Sequence, residues 1–144
     1  MRNRRGFTSI ELIIVIMCLS VLSAIVIVKN PFSMSDYSAV ASDQLVADIR
    51  VTQLKAAGTK IRQNIRFNLN TSTYELREGT TVIETKKLAK DVLIKTASFG
   101  SSSNVLTFNT LGEPSSGGTV TLGDSAGAYV TITVYAITGR VSVS

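Results

Sequence analysis

The chain has 144 residues, 17% of them charged and 6% aromatic, with a formal net charge of +5. It contains no histidine, which excludes His-based triads, His general bases and His-ligated metals. Its single cysteine, Cys18, lies within an apolar run, so no intramolecular disulfide can form.

Residues 1–6 (MRNRRG) are short, basic and end in glycine. Without them, 12 Lys and Arg remain against 10 Asp and Glu, a balance of only +2. The basicity therefore belongs largely to the N-terminus and is poor support for nucleic-acid binding. Residues 12–28 then run for 17 positions without a charge. Including Phe7 to Glu11 extends the stretch to 22 residues with one charge. About 20 apolar residues cross a hydrocarbon core. The arginines before the run predict a cytoplasmic N-terminus. An ordinary secretory signal peptide competes with this view. However, the run is long, and Lys29-Asn30-Pro31-Phe32 offers no A-x-A-like cleavage site, which favours a signal anchor.

Pro31 predicts a helix interruption, with a bend over Phe32 to Tyr37. A second helix is expected from about Ser38 to Ala57. Ala41, Leu45, Ile49 and Ala56 share one face, with Val46 beside it. Asp43, Asp48, Arg50 and Lys55 lie mostly elsewhere, and Gly58 suggests a C-terminal stop. The two helical stretches could form one long kinked helix.

Beyond Gly58 the period becomes two. In Lys60–Asn70, Ile61, Ile65, Phe67 and Leu69 alternate with Arg62, Asn64, Arg66 and Asn68, as in a half-buried antiparallel strand. Further short strands are expected at Tyr74–Arg77, Val82–Thr85, Val92–Thr96, Val105–Asn109, Val120–Leu122, Tyr129–Tyr135 and Arg140–Val143. Gly and Ser cluster at Gly100–Ser103, Ser115–Gly118 and Gly123–Gly127, which predicts loops.

Glu11 is the informative residue. A carboxylate inside an apolar span costs about 2.5–3.5 kcal/mol at the centre and less near an edge. Taken alone, it could simply sit at the interface. Its neighbours, however, read Arg5-Gly6-Phe7-Thr8-Ser9-Ile10-Glu11-Leu12. This closely resembles the processing motif of type IV prepilins and type II secretion pseudopilins. A basic leader, a glycine, an aromatic after it, a glutamate at mature position five and a long apolar run coincide. The chain departs from the commonest pattern at Ser9, where leucine is usual, and Pro31 lies slightly later than the usual kinking proline.

The resemblance implies cleavage between Gly6 and Phe7, N-methylation at Phe7, and an assembly role for Glu11. In an assembled filament, Glu11 would pair with the Phe7 amine of a neighbouring subunit. The implied organisation is a cleaved leader (1–6), a transmembrane assembly helix (7–28), its outer part (29–58) and a β-rich globular pilin domain (59–144). The implied fold class is α+β, pilin-like: a long N-terminal transmembrane helix, kinked near Pro31, packed on a small antiparallel β-sandwich. The implied partners are other pilin or pseudopilin subunits, the prepilin peptidase and methyltransferase, and the membrane. The implied location is the bacterial inner membrane, single-pass with a periplasmic domain, and then the pilus or pseudopilus filament.

Major pilins of this type often carry a C-terminal disulfide loop, which Cys18 alone excludes. Major pseudopilins carry an acidic calcium loop, and Asp124 stands alone in LGDSAG. A minor subunit is therefore expected. Ser42–Ala56, Leu106–Ser115 with Gly117–Val120, and Ile137–Val141 resemble GspH/FimT-type minor pilins and pseudopilins, and MSHA-type minor pilins share much of the pattern.

A DNA-binding branch carries a second arginine two positions after the one matching Arg140, where this chain has Ser142. Lys86, Lys87, Lys90 and Arg140 are the residues that could contact nucleic acid, as an alternative DNA- or surface-binding role. Nucleic acid is not the expected partner. No enzyme, cofactor or metal is expected either, because Asp91, Glu113 and Asp124 show no connecting spacing.

Overall fold

The computed structural model describes residues 9–29, 34–89, 91–124 and 127–144, with the side chains of 9–20 and from 37 onward. The chain divides into two compact units after Ser33. The first contains helix α1 (Ser9–Lys29). The second contains helix α2 (Met34–Thr59) and all the strands. The kink expected near Pro31 lies outside the described residues.

Helix α2 differs from expectation at both ends. Met34 to Tyr37 are helical rather than bent. No Gly or Pro follows Pro31 there, and an acidic residue near a helix N-terminus suits the helix dipole. At the other end the helix passes through Gly58 to Thr59. Lys60, with φ of 58°, takes the left-handed position instead, and its N–H donates to Ala56 O at 3.1 Å. The Thr59 hydroxyl also donates to Lys55 O at 2.8 Å.

Eight strands follow: β1 (Gln63–Asn68), β2 (Thr73–Glu78), β3 (Thr81–Lys87), β4 (Val92–Phe99), β5 (Val105–Phe108), β6 (Gly118–Asp124), β7 (Tyr129–Val134) and β8 (Val141–Val143). Each falls on a segment where the sequence predicts a strand. They form two four-stranded antiparallel sheets, ordered β3-β2-β1-β5 and β4-β6-β7-β8. The fold is α+β, with α2 contacting both sheets.

One core joins these elements. The α2 face of Ala41, Leu45, Ile49 and Ala56 is buried as the helical spacing predicts. It meets Ile65, Phe67, Tyr74, Leu106 and Phe108 of the first sheet and Val120, Leu122, Ile132 and Val134 of the second. Phe67 of β1 stacks on Phe99 of β4, with ring centroids 5.7 Å apart, and so links the two sheets. Each of these large apolar side chains contributes about 1.5–3 kcal/mol on burial.

The first strand is shorter than its alternation suggested. Ile61 and Leu69 are exposed because pairing begins only at Gln63 and ends at Asn68. Gln63 is buried at the strand's start and donates to Glu78 Oε2 at 3.2 Å. Two expected loops also shrink, since Gly118 and Gly123 both belong to β6. Gly118 is needed there for space: a Cβ would meet Ser98 O and the Phe99 ring.

Candidate functional site

The sequence places the functional signal at the N-terminus. Gly6 and Phe7 lie outside the described residues. Glu11 lies in the first turn of α1, where a carboxylate complements the positive end of the helix dipole. Every described side chain of α1, from Ser9 to Ser20, is exposed. Among them are Ile10, Leu12, Ile13, Ile14, Val15, Ile16, Met17 and Leu19. A helix that is apolar all round requires lipid or other protein chains to cover it. The Ser20 hydroxyl donates to Ile16 O at 2.8 Å, within the same helix. Among the described residues no helix is long and apolar enough to cross a membrane. The expected span, 7–28, reaches past the described side chains at both ends.

The basic residues do not form one surface. Lys86 and Lys87 lie on β3 in the first sheet, whereas Arg140 directly precedes β8 in the second. Lys90 lies outside the described residues. Lys87 and Arg140 are exposed. Lys86 is engaged instead: its Nζ lies 2.8 Å from Asp48 Oδ1 and 3.9 Å from Glu84 Oε2.

Asp48 departs from expectation. It lies on the buried face of α2 rather than elsewhere, only 9% exposed. The Tyr74 hydroxyl donates to its second oxygen at 2.6 Å. Both carboxylate oxygens are therefore bonded, which allows a charge to sit at the core's edge. Burial and the hydrogen bond to Asp48 push the Tyr74 pKa well above its usual value. The hydrogen bond to Asp48 likewise raises the Lys86 pKa, against a smaller opposing effect of burial. The signal was present, because Asp48 follows Leu45 by three residues and precedes Thr52 by four, and all three are buried.

Among the described residues no group of His, Cys, Asp and Glu could hold a metal ion. The cluster of Asp48, Tyr74 and Lys86 ties a helix to a sheet.

Comparison with known proteins bears on both units. Residues 1–27 match the family described as the prokaryotic N-terminal methylation motif. The chain carries the prepilin methylation motif. Gly6, Phe7 and Glu11 all fall inside it. The fold is similar to that of the type IV minor pilin FimU of Pseudomonas aeruginosa, with a TM-score of 0.60 and 15% identity over 79% of this chain and 92% of that one. It is also similar to the minor pseudopilin EpsH of the Vibrio cholerae type 2 secretion system. There the TM-score is 0.59 at 9% identity, over 75% of this chain and 96% of that one. At such identities the likeness is one of fold. No curated protein matches the sequence.

Proposed function

We propose that the chain is a minor structural subunit of a type IV pilus or a type II secretion pseudopilus. It is made as a prepilin, held in the inner membrane by residues 7–28, and cut between Gly6 and Phe7. The Phe7 amine is then N-methylated, and the subunit enters the filament with its globular unit on the periplasmic side. It works by packing against other subunits and not by catalysis.

The methylation motif over residues 1–27 carries this proposal. The many exposed apolar side chains of α1 between Ile10 and Leu19 support it, because such a surface is stable only in lipid or inside a bundle of like helices. The minor-pilin fold of the second unit agrees with it. Glu11 then serves assembly: cleavage creates a cationic amine at Phe7, and pairing of Glu11 with that amine in a neighbour favours stacking in register.

Mass spectrometry of the mature chain, purified from a host with the processing enzyme, tests the proposal. The expected N-terminus is Phe7 carrying one methyl group. A mature chain starting elsewhere would overturn it.

A further inference from the structure

The outer face of the first sheet carries a polar cleft of about 520 Å³ where β1 turns into β2. Its polar lining is Arg66, Asn68, Asn70, Glu75 and Asn104, beside the half-exposed side chain of Leu69. A volume of this order lies within the range of small-ligand sites.

Two of the three amides, those of Asn68 and Asn104, are held in place by the main chain. Asn68 Oδ1 accepts the N–H groups of Asn70 and Thr71 at 3.1 and 3.3 Å. Asn104 Nδ2 donates to Phe67 O at 2.7 Å. These bonds leave the Nδ2 of Asn68 and the Oδ1 of Asn104 for a ligand. Arg66 and Glu75 are direct cross-strand partners, yet Glu75 Oε2 lies 3.8 Å from Arg77 Nε and, among the described residues, forms no ion pair with Arg66. Arg66 thus offers the cleft a donor fork, and Glu75 an acceptor carboxylate that it shares with Arg77.

We infer that this cleft binds a saccharide. Its lining offers both donors and acceptors, and adjacent sugar hydroxyls each donate and accept. Leu69 offers an apolar contact for the C–H face of a sugar ring. Amides already oriented by backbone bonds lose little freedom on binding. This inference does not depend on the N-terminal motif.

The test uses the full chain in a zwitterionic, sugar-free detergent. Glucose, galactose, mannose, N-acetylglucosamine and their disaccharides are titrated while amide NMR signals are followed. At least one saccharide should shift the side-chain amides of Asn68, Asn70 and Asn104 saturably, in the millimolar range. Arg66→Ala and Asn70→Ala, both at exposed positions, should weaken that binding about tenfold or more and leave the remaining spectrum unchanged. Inorganic phosphate is titrated separately. Shifts at the cleft with phosphate and with no saccharide would make it an anion site and overturn the inference. So would the absence of any saccharide shift there, or binding unaltered by both substitutions.

Discussion

The Tyr74 hydroxyl donates to Asp48 Oδ2 across 2.6 Å and ties the second strand to the middle of α2. Lys86 Nζ takes the other oxygen at 2.8 Å from the adjacent edge strand. One carboxylate thus holds two strands of the first sheet against the helix. Removing the phenol leaves Asp48 one partner, whereas removing the carboxylate leaves both partners behind. Tyr74→Phe should therefore cost about 1.5–3 kcal/mol, as for a hydrogen bond to a charged group. Asp48→Ala should cost more, about 3 kcal/mol or above. Urea unfolding measures both, and a Tyr74→Phe variant as stable as the parent would show that this bond contributes nothing.

The same cluster sets an alkaline limit. Both Tyr74 and Lys86 have folded pKa values raised above their ordinary values of 10.0 and 10.5. The folded chain therefore keeps protons that the unfolded chain releases above about pH 10. Their contribution is fully present at neutral pH and is lost as pH rises past 10. The Tyr74 part should approach about 1.4 kcal/mol per pH unit. Unfolding free energies measured between about pH 8 and about pH 11 should fall less steeply in Tyr74→Phe than in the parent. Parallel curves would remove Tyr74 from the account.

Gly118 pairs with Phe99 where β6 meets β4, and a Cβ there would meet the Ser98 carbonyl and the Phe99 ring. Backbone cannot yield as a flexible side chain can. Gly118→Ala should therefore cost about 1–3 kcal/mol and loosen the Phe67–Phe99 contact between the sheets. The urea midpoint gives the magnitude, and phenylalanine ring NMR signals report the contact. By contrast, Gly79→Ala should cost mainly backbone strain, since its φ is +58° and no atom lies within 4 Å of its Cβ position.

Glu11→Ala should leave cleavage between Gly6 and Phe7 largely intact while reducing incorporation into filaments. Immunoblots of whole cells report the first, and those of sheared filaments report the second. Normal incorporation would refute the pairing role.

Much of the fold was legible in local pattern. Ala41, Leu45, Ile49 and Ala56 recur at helical spacing, and the helix buries them. Short runs rich in Val, Thr and Ile mark strands such as β3, β6 and β7, because branched side chains suit a pleated surface. The ends of elements were less legible. Gly58 looked like the helix stop, but Lys60 adopts the left-handed turn once the strand entry at Gln63 is set. Ile61 and Leu69 continue the alternation of β1, yet strand pairing does not reach them.

The methylation motif and the apolar run after it are written in contiguous residues, so the sequence alone was enough to identify the N-terminal signal around Phe7 and Glu11. The order of helices and strands was determined the same way, since residue periodicity is a local property. The tertiary structure alone decided the fate of Asp48 and Lys86. Burial of a carboxylate is affordable only when its oxygens are bonded, and its partners lie 26 and 38 residues away in sequence. It also decided that Arg66, Asn70 and Asn104 line one cleft, because strand pairing across β1, β2 and β5 brings them together.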